Sequence, residues 1–201
     1  MRRRHFLLTA VAFATAALAL PRPALTAPDP VAFIRELGTR AIEVLGPKVP
    51  VNLRLTRFRE LFQNDFDVPR IGRFVLGRYW RTATPQEQQE FLGLFQEYIV
   101  QAYSNRLGEY GGQPFIVTGT RPGGSGEIIV TSQIIRENSS RVAVDWYLVE
   151  GGGQYKIVDV YVGGVSMAVT ERDEFAAVIQ RNGGQVSALI ALLRRKVTAS
   201  G

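Results

Sequence analysis

The sequence predicts an α+β fold: a four-stranded antiparallel sheet with helices packed around one face. Two observations carry this prediction. Apolar residues recur at helical spacing from Pro28 to Tyr110, and from Phe115 the period drops to two, with glycine-rich breaks between apolar runs. Two more helical stripes follow Ser166, so the helices must cover the sheet they flank.

The organising stretch is Arg141 to Met167. Two runs, VAVDWYLVE and YKIVDVYV, are joined by Gly151-Gly152-Gly153 and end in Gly163-Gly164-Val165-Ser166. β-branched and aromatic residues favour pleated strands, and the glycines favour reversal. Val142, Val144, Trp146 and Leu148 share one face, alternating with Ala143, Asp145 and Tyr147. Two registers fit: a three-residue loop sets Asp145 opposite Asp159, and a four-residue loop sets Trp146 opposite Asp159. Phe115 to Thr120 and Ile128 to Arg136 supply the other two strands.

The helices follow from their stripes. Pro28 to Gly46 carries Val31, Ile34, Leu37, Ala41 and Val44, and Val51 to Phe66 carries Leu55, Phe58, Leu61, Phe62 and Phe66. Asp67-Val68-Pro69 starts a helix with Ile71, Phe74, Val75 and Leu76. Thr84-Pro85-Gln86-Glu87 is a capping box with proline at the first helical position, and it opens a long helix with a wide aromatic face ending at Gly111-Gly112. After the strands, Thr170 can cap a helix carrying Phe175, Val178 and Ile179. Asn182-Gly183-Gly184 breaks it, and Val186, Leu189, Ile190, Leu193 and Val197 mark the last helix.

Residues 1–27 read as an export signal: Arg2-Arg3-Arg4-His5, then an apolar run from Phe6 to Leu20 that is short for a bilayer span of about twenty residues. Ala17-Leu18-Ala19 and Leu25-Thr26-Ala27 both fit cleavage, and Arg3-Arg4 also fits a twin-arginine signal. Residues 28–201 then form one domain. The formal charge of +6 falls to about +2 to +3 once the leader arginines are gone, which leaves no nucleic-acid footprint. There is no Cys, and the single His is His5. The mature chain therefore lacks the thiolate and imidazole that nucleophilic triads and ordinary zinc sites need.

Gly164-Val165-Ser166-Met167-Ala168 has the outline of a nucleophile elbow, but without a His its serine reads as a cap or turn residue. Gly123, Gly124 and Gly126 precede a strand rather than a helix, so they read as a hairpin loop and not a phosphate cradle. Asp145 and Asp159 are the acids that interrupt the apolar hairpin. In a dry cavity one of them could serve as a proton-transfer base, which sustains an alternative reading as a lipid- or isoprenoid-modifying enzyme.

Gly77-Arg78-Tyr79-Trp80-Arg81-Thr82-Ala83-Thr84-Pro85-Gln86-Glu87-Gln88, with Phe91, Phe95, Tyr98 and Tyr103, then Tyr155-Lys156-Ile157-Val158-Asp159-Val160 and Gly164-Val165-Ser166, resembles the MlaC-type periplasmic phospholipid-binding proteins, the toluene-tolerance ABC transporter auxiliary family. The chain departs from the family pattern at Tyr155, where a Trp is frequent, and at Gly163, where an acid is frequent. The resemblance implies a monomeric periplasmic shuttle with phospholipid as cargo and no cofactor or metal. Its implied partners are an outer-membrane lipoprotein complex and an inner-membrane MCE-protein ABC transporter, in a system that maintains outer-membrane lipid asymmetry. Hopanoid-associated relatives make a hopanoid carrier a further alternative.

Such a carrier must hide its cargo: about thirty tail methylenes at roughly 0.8 kcal/mol each amount to about 24 kcal/mol of exposure in water. On this reading the helices and sheet enclose a hydrophobic pocket, with the aromatic face of the 85–110 helix opposite Val144, Trp146 and Leu148. The expected lipid-facing set is Leu76, Phe95, Tyr98, Ile99, Val144, Trp146, Leu148, Val160 and Val165, with Val165 at the rim beyond Gly163-Gly164.

Overall fold

Side-chain caps mark the starts of α-helices that begin after Asp29, Asp67, Thr84 and Ser166. The computed structural model describes residues 29–45, 48–108 and 113–199; the stretch expected to be an export signal (1–27), Gly46-Pro47, Tyr110 and Gly111-Gly112 lie outside them. Helix α1 (Pro30–Leu45) opens on Asp29, whose carboxylate accepts the Val31 N–H at 2.9 Å. Helices α2 (Val51–Asp65) and α3 (Val68–Leu76) meet at Phe66-Asp67, where the Asp67 side chain accepts the Arg70 N–H at 3.1 Å. A 3₁₀ turn (Gly77–Arg81) leads to the long helix α4 (Pro85–Gly108). The capping box at its start is formed as predicted: Thr84 N–H donates to Glu87 Oε2 at 2.9 Å, and Glu87 N–H donates to Thr84 Oγ1 at 3.2 Å.

The sheet is an antiparallel meander of five strands, not four: β1 (Phe115–Pro122), β2 (Ile128–Ile135), β3 (Arg141–Gly151), β4 (Gln154–Val162) and β5 (Val165–Ser166). The fifth has two residues, with Val165 opposite Val162 and Ser166 opposite Tyr161. A strand that short shows no alternation for a sequence pattern to detect.

Neither predicted β3–β4 register holds along the whole pair. Gly152 and Gly153, at φ of 62° and 77°, form a two-residue turn, so Gly151 pairs with Gln154 and Leu148 with Ile157. That is the register of the four-residue-loop alternative near the tip. The register then shifts by one, which puts Asp159 opposite Tyr147 and Val160 opposite Trp146. The extra residue, Val158, keeps Ile157 and Val160 on the same side of the sheet although they are three positions apart.

Helix α5 (Met167–Arg181) is capped by Ser166, not by Thr170: Ser166 Oγ accepts the Val169 N–H at 2.9 Å, and the Thr170 hydroxyl donates to the Ser166 carbonyl at 2.8 Å. After Gly183 and Gly184, both at positive φ, α6 (Val186–Ala199) buries Val186, Leu189, Ile190 and Leu193.

The helices divide over the sheet. α1 lies along β1 and β2, whereas α2, α3 and α5 approach β4, and the α2–α3 joint is tied to that strand by Asp67 N–H donating to the Ile157 carbonyl at 2.9 Å. α4 packs mainly on α2 and α6, with α3 and α1 beside it. The close backbone neighbours of β3 are chiefly its partner strands β2 and β4.

Candidate functional site

The face of the sheet turned toward the helices is apolar because of strand parity: Val130, Val144, Trp146, Leu148, Ile157 and Val160 all point that way. Val144, Leu148 and Ile157 are buried, while Trp146 and Val160, which sit opposite one another, are half-buried. One buried polar side chain breaks this face, while Thr120 and Glu150 lie exposed at its margins. Ser132 is buried, donates its hydroxyl to the Val144 carbonyl at 3.0 Å and accepts the Trp146 indole N–H at 2.9 Å. Phe115 meets Trp146 edge-on, with ring centroids 6.2 Å apart. The indole is therefore fixed at one end, and its rings pack against the buried core.

Ser132 was not anticipated from sequence. The available signal was a lone serine in IIVTSQII, two residues from Val130 and therefore on its face.

The long helix contributes differently from expectation. Phe91, Phe95 and Tyr98 surround Phe175 of α5, with ring centroids 6.0, 6.2 and 5.9 Å away, so these aromatics build the core between helices. Phe95 and Ile99 are buried, Tyr98 is half-buried, and Leu76 is buried at the end of α3. The structure thus gathers Val144, Trp146, Leu148 and Val160 on one sheet face and places Leu76, Phe95, Tyr98 and Ile99 in the helical layer.

Val165 sits at the outer edge of the sheet and is 54% exposed, next to Val162 at 38%. Gly163 and Gly164 between them adopt φ of 58° and 83°, and no atom crowds the space a side chain would take there. This corner is held from behind. Asp159 accepts hydrogen bonds from Ser166 Oγ at 2.5 Å, from its own neighbour's Val160 N–H at 2.7 Å and from Ala168 N–H at 3.1 Å. A carboxylate at the start of α5 also suits the helix dipole.

Asp145 and Asp159 lie on the face of the sheet opposite Trp146, not in a cavity over its apolar side. Asp145 pairs with Arg121 at 2.9 Å, and the three donors on Asp159 bind it into the turn. Between them Tyr147 and Tyr161 stack at 4.6 Å, and burial pushes the Tyr161 phenol pKa up, with Tyr147 and Asp159 adding to the shift. Both carboxylates thus have structural partners that account for them.

Two surface depressions lie elsewhere. One of about 600 Å³ is lined by Arg78, Tyr79, Arg81, Thr82, Gln180 and Gly184. The other, about 540 Å³, lies between α1, the end of α2 and the β3–β4 turn and includes Phe33, Asp65 and Tyr155. None of the expected lipid-facing residues lines either one.

Comparison with known proteins adds a family and a fold. The family model described as "MlaC protein" matches residues 46–195. The toluene tolerance protein Ttg2D of Pseudomonas putida is 31% identical over 113 residues, covering 56% of this chain and 53% of that protein, so the alignment spans about half of that relative's length. The intermembrane phospholipid transport system binding protein MlaC of Haemophilus influenzae is 20% identical over 184 residues, covering 87% and 86% of the two chains. A phospholipid-binding protein from Ralstonia solanacearum, solved in complex with a phospholipid, superposes with a TM-score of 0.72 at 23% identity, over 86% of this chain and 98% of that one.

Proposed function

This chain belongs to the MlaC protein family, and from that membership we propose that it is a phospholipid carrier that binds a diacyl lipid and releases it chemically unchanged. The observation that carries the reading is the apolar inner face of β3 and β4, on which Trp146 and Val160 stay half-buried opposite one another and Trp146 is anchored at one atom. Acyl chains laid against Trp146 and Val160, which the helices leave half-buried, would gain the burial that transfer through water requires, with the buried Val144 and Leu148 as the floor beside them. The names of the relatives favour the same cargo, since the Haemophilus protein belongs to an intermembrane phospholipid transport system and the Ralstonia protein was solved with a phospholipid.

The carrier works in the periplasm after removal of residues 1–27, and among the described residues no helix is long and apolar enough to cross a membrane. It shuttles between an outer-membrane lipoprotein complex and an inner-membrane MCE-protein ABC transporter, and so helps to maintain outer-membrane lipid asymmetry. Val165, exposed at the β4–β5 corner, lies at the rim through which tails pass.

Native mass spectrometry and lipid extraction of the protein purified from its own envelope test the reading. One diacyl phospholipid per chain is expected. Ligand-free protein, or a stoichiometric hopanoid, would overturn it, and an altered lipid product would point to catalysis.

A further inference from the structure

We infer that the depression between the 3₁₀ turn and the end of α5 is a binding site for a phosphate-type anion, held by Arg78 and Arg81. A 3₁₀ helix has three residues per turn, so side chains at i and i+3 eclipse, and Gly77–Arg81 stacks Arg78 directly below Arg81. Both line the same depression of about 600 Å³, and no carboxylate lines it with them. Among the described residues, neither guanidinium makes an ion pair, as is also true of Arg35, Arg73 and Arg195. Like charges stacked one turn apart repel, so this arrangement is unfavourable until an anion sits between them.

The remaining groups fit the same ligand. Arg78 is aimed by its neighbour: it lies over the Tyr79 ring at 4.9 Å and donates to the Tyr79 hydroxyl at 2.9 Å, which leaves that hydroxyl's own proton free to donate outward. Thr82 has its hydroxyl committed to the Tyr79 carbonyl at 3.1 Å, so it shapes the wall and does not donate. The Gln180 amide adds a neutral donor from α5. Two planar guanidiniums, with a phenol and an amide that can each donate, supply a set of donors without a carboxylate, and the guanidinium fork matches the paired oxygens of phosphate. The site is separate from the Val165 corner, since α5 runs from one to the other and spans about 20 Å at 1.5 Å per residue.

The anion has two sources, soluble phosphate or the headgroup of a phospholipid, and they are separated by probe. Wild-type protein is titrated with inorganic phosphate and, separately, with glycerophosphoglycerol, the deacylated headgroup, while the arginine Nε–Hε NMR signals are followed. The Arg78 and Arg81 signals are expected to shift saturably, and the tighter probe names the source. Arg81→Gln, which loses no intramolecular partner, should bind about tenfold more weakly. Arg195→Gln on α6 makes the same change in net charge and should bind as wild type. Unshifted Arg78 and Arg81 signals with both probes, or equal loss in the two variants, overturns the site. The lipid content of purified Arg81→Gln should equal that of wild type, so failure of the anion site leaves the carrier reading to its own test.

Discussion

Trp146 donates its indole N–H to Ser132 Oγ at 2.9 Å across the β2–β3 pair, and the Ser132 hydroxyl in turn donates a hydrogen bond to the Val144 carbonyl. The two residues are diagonal neighbours, since Trp146 sits directly opposite Val130 and Ser132 opposite Val144. On a face whose other buried side chains are apolar, one hydroxyl thus decides which way the largest side chain lies. Ser132→Ala should leave the indole N–H without an acceptor and cost about 1–3 kcal/mol. In a Trp80→Phe background, which leaves one tryptophan, urea unfolding should show a lower midpoint with an unchanged slope, and the emission maximum should move. An unchanged midpoint would mean that the indole finds another acceptor.

The carrier reading makes a sharper demand on Val165. The residue is already 54% exposed, so Val165→Glu should change stability by no more than about 0.5 kcal/mol. A carboxylate at the rim would nevertheless face the passing tails without a partner, a cost of several kcal/mol for any lipid contact there. Purified Val165→Glu is expected to be folded and depleted of lipid. Trp146→Glu, placed on the half-buried inner face, should lose both lipid and stability. If Val165→Glu retains lipid at wild-type stoichiometry, the rim lies elsewhere and Val165 leaves the site.

Local chemistry was the legible part of this molecule. The Thr84–Glu87 capping box and the apolar parity of Val144, Trp146 and Leu148 depend on side chains close in sequence, and both stand as read, whereas the cap of α5 falls on Ser166 and not on the expected Thr170. What escaped the sequence depends on distant partners. YKIVDVYV alternates equally well with or without a bulge, so the extra residue at Val158, and with it the place of Asp159, is decided by pairing to β3. α4 carries Phe91, Phe95, Ile99 and Val100 as buried residues and Leu92, Leu94 and Tyr98 as half-buried ones, so its pattern names no single neighbour. Phe175 of α5 collects its aromatics, which the stripe alone suggested were aimed at the sheet. Ser132 was hidden because its role exists only once Trp146 lies beside it.

The Arg59–Glu97 pair joins α2 to α4 through two parallel bonds, Nε to Oε1 at 2.8 Å and an Nη to Oε2 at 2.7 Å. The guanidinium hydrogen bond holds the Glu97 pKa below its ordinary 4.5, against the opposing effect of burial. A carboxylate with a lowered folded-state pKa adds stability that is fully present above its unfolded value and is lost as pH falls through the folded one. Both side chains are about one-third exposed, so the contribution at neutral pH is small, about 0.5–1 kcal/mol. The stability gap between wild type and Glu97→Gln should therefore be constant from pH 7 down to about 5 and close as pH drops further below 4.5. Denaturant melts at a series of pH values read this directly, and a gap that widens in acid would contradict the assignment.

Gly38 tests whether helix α1 sets the position of Trp146 from a distance. A Cβ at Gly38 would lie 2.5 Å from Phe115 Cε1 and 2.6 Å from Cδ1, and Phe115 in turn meets Trp146 edge-on. Two effects oppose each other in Gly38→Ala. Alanine in a helix interior is favoured over glycine by about 1 kcal/mol, whereas forcing a methyl into packed aromatic carbon costs about 1–3 kcal/mol. The clash should win, with a net loss of about 1 kcal/mol, because the half-buried ring lies between α1 and the indole that it meets edge-on. Emission from Trp146 in the Trp80→Phe background should shift as the ring is pushed. Phe115→Leu supplies the control: in that background Gly38→Ala gains its helix propensity without the clash, so the double variant should be more stable than the two single effects add up to. Additive effects, with Trp146 emission unmoved, would show that Phe115 swings aside freely and that α1 does not bear on the inner face through it.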